Sequence, residues 1–150
     1  MSNANEIEIL IIEDNDDDLD MTLHALRKAK LANRIQVVRD GEEALEFIFC
    51  QGAFAARKIE SVPKVILLDL KLPKVDGFEV LKRVKSDPHT KNIPVVILTS
   101  SKEQEDVVES YNLGVNSYMV KPVNFEGFAA AVEKLGMYWL LLNQPPKMEG

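Results

Sequence analysis

The sequence predicts a three-layer α/β domain built on a central five-stranded parallel sheet. Three observations carry that reading. Five short apolar runs alternate with segments of helical periodicity along the chain. Most of these runs are continuous rather than alternating, as strands are when a parallel sheet is covered on both faces. The chain has 150 residues, 46% of them apolar, which suits one packed core.

The elements follow in order. Ile7–Ile12 reads as a buried strand. Leu19, Leu23, Leu26 and Ala29 recur at helical spacing, giving a helix from about Asp17 to Lys30. Ile35–Val38 is a second strand, ended by Asp40-Gly41, and Ala44, Leu45, Ile48 and Phe49 mark a second helix. Gln51 to Pro63 is a longer connection with a helical extension open as an option. Val65–Asp69 is a third strand, Lys71–Gly77 a loop, and Phe78, Val80, Leu81 and Val84 a third helix stopped at Asp87-Pro88. Ile93–Leu98 is a fourth strand with Pro94 near its start, where a strand tolerates proline. Glu103–Tyr111 is a fourth helix with a thin apolar face, and Asn116–Val120 is the fifth strand. Phe125, Phe128, Ala129, Val132, Leu135 and Trp139 line a final helix. Residues 1–5 read as a disordered N-terminus, 6–142 as the domain and 143–150 as a tail.

The polar groups gather at one edge of this sheet. Strand one ends at Glu13-Asp14, strand three at Asp69, strand four at Thr99-Ser100-Ser101 and strand five at Lys121-Pro122. Ligands of open α/β sheets bind beyond the carboxyl ends of the strands. Each group taken alone has a plainer role. A carboxylate after a strand often caps a helix, and Asp16 or Asp17 fits that role before the first helix. Asp69 resists it, because Leu70-Lys71-Leu72-Pro73 follows rather than a helix. Thr99 alone is an ordinary strand-end hydroxyl, and Lys121 alone a solvated cation. Together they suit phosphoryl chemistry. A hard divalent cation prefers oxygen ligands, an aspartate is a nucleophile toward phosphorus, and a lysine and a hydroxyl neutralise phosphoryl oxygens.

In their order along the chain, Glu13-Asp14, Leu67–Leu70, Pro73 with Asp76-Gly77, Thr99 and Lys121-Pro122 resemble the receiver domain of a two-component response regulator. The resemblance spans about the whole chain. It implies a flavodoxin-like (βα)5 fold and phosphorylation of Asp69 by a sensor histidine kinase or a histidine phosphotransfer protein. It assigns Mg²⁺ or Mn²⁺ to Glu13, Asp14, Asp69 and the backbone carbonyl of Lys71. Thr99 and Lys121 become the phosphoryl contacts, Tyr118 the aromatic that switches with Thr99, and Pro122 the site of a possible cis peptide. The segment before strand three, the Lys71–Lys74 loop, Ser86–Pro88 and Trp139-Leu140 are similar to the small stand-alone regulators paired with cyanobacterial and bacterial phytochromes. Those often form homodimers through their later elements. Two positions depart from the commoner pattern: Glu13 stands where Asp is usual, and Ser100 where a smaller residue is common.

Six carboxylates crowd Glu13 to Asp20. Glu13 and Asp14 point at a cation on this reading, whereas the later aspartates charge a helix start that the macrodipole favours. Asp17 or Asp18 is a candidate hydrogen-bond partner for metal-bound water.

Composition narrows the partners. The net charge of -6 opposes a broad nucleic-acid surface. One cysteine, Cys50, excludes an internal disulfide framework, and no apolar run is long enough to span a membrane. The polar N-terminus lacks a signal core, so a cytoplasmic location is expected. No output domain is expected after residue 143, so the output is contact with another protein or with itself, through the side formed by helix four, strand five, helix five and the apolar Trp139–Leu142 cluster. A non-enzymatic phosphoacceptor is thus the leading reading, with a phosphorylation-independent scaffold or dimerisation module as the alternative. A phosphatase of the haloacid dehalogenase type would want a second aspartate two residues after Asp69, where Lys71 stands. A mononucleotide module would want a glycine- or hydroxyl-rich loop after strand one, where the chain is acidic.

Overall fold

The computed structural model describes residues 9–28, 34–59, 61–100 and 103–121, together with Asn124, Glu126, Gly127 and Ala130. Strands β1 (Ile9–Ile12), β2 (Ile35–Val38), β3 (Val65–Leu68), β4 (Val95–Thr99) and β5 (Ser117–Val120) alternate with helices α1 (Asp16–Lys28), α2 (Gly41–Ile48), α3 (Gly77–Ser86) and α4 (Gln104–Asn112). A short 3₁₀ turn at Gly52–Phe54 interrupts the connection before β3. All strand pairings are parallel, and the sheet order is β2-β1-β3-β4-β5. That is the flavodoxin-like order. Most of the final helix, the Lys121–Pro122 peptide and the expected boundaries at residues 5 and 142 lie outside the described residues.

The two periodicities of the strands divide the core. Leu10, Ile12, Ile66, Leu68, Val95 and Ile97 face one side, where Ala44, Phe47 and Ile48 of α2 and Val80, Leu81 and Val84 of α3 cover them. Ile9, Ile11, Val65, Leu67, Val96 and Leu98 face the other, against Leu19, Ala25 and Leu26 of α1. Alternate residues of each strand therefore meet helices on opposite faces, which is why the runs read as continuously apolar. Fully burying one such side chain contributes about 1.5–3 kcal/mol.

Several boundaries differ from the sequence reading, each for a capping reason. Asn15, not Asp16 or Asp17, caps α1: its side-chain oxygen accepts from the Asp18 amide at 2.9 Å. Asp16, Asp17 and Asp18 fill the first turn, where the helix dipole favours them. Asp40 does not merely end β2. It caps α2 by accepting from the Glu43 amide at 2.7 Å, while Glu43 reaches back to the Arg39 amide at 2.8 Å. Asp76 caps α3 through the Glu79 amide at 3.1 Å, so that helix starts at Gly77.

Gly77 is fixed by close approach. A Cβ there would stand 2.4 Å from the Asp69 carbonyl oxygen and 2.6 Å from Leu70 Cα. The Gly77 amide donates to the Leu70 carbonyl at 2.8 Å. The start of α3 is thereby docked directly on the backbone that carries Asp69.

Candidate functional site

The chain leaves β1 toward β2 on one side and returns to β3 on the other, so the strand order reverses between β1 and β3. In open α/β sheets this switch point opens a crevice beyond the carboxyl ends of the strands. Glu13 follows β1 there and Asp69 follows β3. Their backbones prolong the sheet: the Glu13 amide donates to Val38 at 3.0 Å and the Asp69 amide to Ile12 at 3.1 Å. Across the sheet, the Lys121 amide donates to the Thr99 carbonyl at 2.7 Å.

These anchors bring charged groups into a nearly closed space. Glu13 is 3% exposed, Asp69 7% and Thr99 0%. The ammonium of Lys121, on a side chain only 8% exposed, lies 2.7 Å from Glu13 Oε1, 2.9 Å from Asp18 Oδ2 and 3.0 Å from Asp69 Oδ2. An ammonium has three N–H donors, so each carboxylate takes one. The crowding of like charge after β1 is offset from the far end of the chain. The second oxygen of Asp69 accepts from the Lys71 amide at 3.2 Å, and Glu13 Oε2 accepts from the Asn15 amide at 3.2 Å.

Burial pushes the Glu13 carboxyl up to about 7, with repulsion from Asp69 adding to it and the Lys121 and Asn15 hydrogen bonds opposing it. Burial pulls Lys121 down, but its hydrogen bonds to Glu13, Asp18 and Asp69 outweigh that and hold it above the ordinary lysine value. Lys121 is charged at any pH near neutrality, whereas the Glu13 carboxyl changes charge there.

Glu13, Asp14 and Asp69 each offer a carboxylate oxygen, and these oxygens lie within 4.8 Å of one another. Two are buried and Asp14 is exposed. An all-oxygen set open on one side fits a hard divalent cation that keeps some of its waters. Lys71 follows in the loop, exposed, with its amide turned to Asp69.

Thr99 and Tyr118 occupy neighbouring strands. Tyr118 pairs with Ile97 and packs on the α2–α3 face of the core. Thr99, two residues beyond Ile97, shares that face by strand alternation. The structure thus brings together Glu13, Asp14, Asp69, Thr99 and Lys121, with Tyr118 one step away, whereas Pro122 lies outside the described residues. Asp18 enters the site by another route as well: its carboxylate is on Lys121 itself. Nothing local in the sequence pairs it with a residue 103 positions later. Arg39 was also missed. From the β2–α2 junction its guanidinium bonds the Asp14 carbonyl at 3.2 Å and the Asp16 carboxylate, tying down the acidic loop.

Comparison with known proteins agrees with this geometry. Response regulator Rcp1 from Synechocystis is 38% identical over 132 residues, covering 88% of this chain and 88% of its own length. The structure of the bacteriophytochrome response regulator RtBRR is 55% identical, covers 93% of this chain and 84% of that chain, and superposes with a TM-score of 0.83. A Mn²⁺-bound form of Rcp1, 36% identical over 94% of this chain and 99% of that one, has a TM-score of 0.74. The phosphorylated cyanobacterial phytochrome response regulator RcpA, 38% identical, covers 90% of this chain and 94% of that one at the same TM-score of 0.74. The family model for the response regulator receiver domain matches residues 9–133, and the chain belongs to that family.

Proposed function

We propose that this protein is a receiver that accepts a phosphoryl group on Asp69 and converts it into a change of protein contacts. The observation that carries the reading is the buried Asp69 carboxylate at the switch point, 3.0 Å from the Lys121 ammonium and beside Glu13 and Asp14. Receiver domains take their phosphoryl group from a histidine kinase or a phosphotransfer protein. The identity to RtBRR favours a phytochrome-type kinase as donor.

An Asp69 oxygen forms the new bond to phosphorus as the donor's P–N bond breaks and its histidine leaves with the electron pair. Glu13, Asp14, Asp69 and the Lys71 carbonyl would hold Mg²⁺ or Mn²⁺. Such a cation neutralises charge between the arriving phosphoryl oxygens and the carboxylates. Lys121 donates to one phosphoryl oxygen and the Thr99 hydroxyl to another. Drawing Thr99 inward opens space on its sheet face, and Tyr118 turns into it. That biases the α4–β5 side between two arrangements.

The output surface on this reading is that side. Val108 is 50% exposed, Tyr111 47% and Val120 38%, apolar area that a partner or a second copy would cover. The protein acts as a cytoplasmic signalling switch, not as an enzyme on an external substrate. Among the described residues no helix is long and apolar enough to cross a membrane.

The test is intact mass after incubation with acetyl phosphate, with and without Mg²⁺, beside Asp69→Asn. One added phosphoryl group requiring both Mg²⁺ and Asp69 is expected. No addition in any condition overturns the switch and favours a phosphorylation-independent scaffold.

A further inference from the structure

Asp18 stands outside the metal-ligand set yet holds the ammonium that the phosphoryl group needs. It is in the first turn of α1, locked by the Asn15 cap on its own amide. Its Oδ2 takes one of the three Lys121 donors at 2.9 Å. Both Asp18 Oδ2 and Asp69 Oδ2 lie near 3 Å from one nitrogen, so they are at most about 6 Å apart. Three carboxylates, Glu13, Asp18 and Asp69, thus share one ammonium, and Asp14 lies beside Glu13 and Asp69. A bound divalent cation would balance the charge of Glu13, Asp14 and Asp69 with help from Lys121. Asp18 remains as surplus negative charge facing the place where a phosphoryl group must arrive.

We propose that Asp18 is a positioning residue that restrains phosphorylation: it keeps the Lys121 ammonium drawn toward α1 and adds repulsion at Asp69. The inference rests on Asp69 being the phosphoacceptor. When Asp69 takes the phosphoryl group from a donor and the donor's leaving group departs, Lys121 must turn one donor from a carboxylate to a phosphoryl oxygen. Removing Asp18's charge makes that turn easier. At about 6 Å, with Asp18 a third exposed and therefore well screened, the effect on the phosphorylation rate is about fivefold.

The experiment measures the initial rate of phosphoryl uptake from acetyl phosphate with saturating Mg²⁺, by intact mass, for the full-length chain and three variants. Asp18→Asn is expected to react about fivefold faster than the parent. Asp18→Glu keeps the charge and is expected to stay within about twofold of it. Asp20→Asn removes the same charge from the same helix without a bond to Lys121 and is expected to match the parent. Circular dichroism at the assay temperature confirms that each variant is folded. Equal or slower uptake by folded Asp18→Asn overturns the proposal. So does an equal acceleration in Asp20→Asn, which would make the effect one of bulk charge. No uptake by the parent chain overturns the phosphoacceptor reading and this proposal with it, whereas uptake by the parent with an inert Asp18→Asn overturns this proposal alone.

Discussion

Replacing Lys121 by methionine tests whether this lysine is the counterion of the site. The substitution keeps the length of the stem and removes the charge. Lys121 donates to two buried carboxylates, at 2.7 and 3.0 Å, and to Asp18, a third exposed, at 2.9 Å. Breaking a buried ion pair from one side costs about 3–5 kcal/mol, and the Asp18 contact adds little because solvent screens it. The full cost applies only while Glu13 and Asp69 are both charged. Glu13 sits at about 7 rather than the ordinary 4.5 in the parent, and loss of Lys121 moves it higher. The sign follows. The folded state holds a proton on Glu13 that the unfolded state releases above about 4.5, so stability falls as pH rises from there through the folded-state value. In Lys121→Met that fall extends to higher pH, with a slope of up to about 1.4 kcal/mol per pH unit. Urea unfolding at pH 8 should therefore show a loss of about 3–5 kcal/mol relative to the parent, of which about 1 kcal/mol returns by pH 6, since the parent's own Glu13 recovers part of the same term. Saturating Mg²⁺ should stabilise the variant more than the parent, because it supplies the missing positive charge to the folded state. A loss that is the same at pH 6 and pH 8, with no extra benefit from Mg²⁺, would refute the counterion argument.

Three further outcomes follow from the geometry. A cation must displace the proton on Glu13, so Mg²⁺ affinity should fall as pH drops below about 7 and level off above it. Calorimetry in buffers of different ionisation enthalpy should detect the released proton near pH 6.5, and Glu13→Gln should abolish that release while weakening binding by about tenfold or more. Gly77→Ala drives a methyl group into the Asp69 carbonyl, for which overpacking costs of about 1–3 kcal/mol are typical. Thermal unfolding should register that loss, and acetyl-phosphate uptake should slow because Asp69 is displaced; unchanged values in both would show that the α3 start yields easily. Asp76→Ala removes the α3 cap and should cost about 1 kcal/mol with normal Mg²⁺ binding, read by urea unfolding beside a metal titration.

The fold was legible because the strands are buried on both sides and interrupted by strong punctuation. Ile9–Ile12, Val65–Leu68 and Val95–Thr99 are buried throughout, so no alternation blurred them. Helix starts were less legible. Asp40 and Asp76 each precede a glycine and look like turn residues, whereas they accept from amides three residues on. At α1, Asp16 and Asp17 compete with Asn15 in the sequence, and only the backbone geometry selects the cap. The acidic pair, Asp69, Thr99 and Lys121 were legible as a set because each stands at or just beyond the carboxyl end of a strand. The Asp18–Lys121 bond was not, since it depends on the angle at which α1 leaves the crevice rather than on any spacing. Arg39 was hidden for the same reason, as an exposed arginine after a strand carries no signal of what it reaches.

The sheet's hydrogen-bond ladder runs one residue past the strands into the site, through the amides of Glu13, Asp69 and Lys121. Those three amides are therefore isotope-exchange clocks for the chemistry. Each can trade its proton for deuterium only when the neighbouring strand lets go, so their exchange should keep pace with opening of the sheet and lag far behind the exposed loop around Lys71. The backbone of the reactive centre is thus tied to the sheet at three points, and conditions that open the sheet should loosen the centre with it.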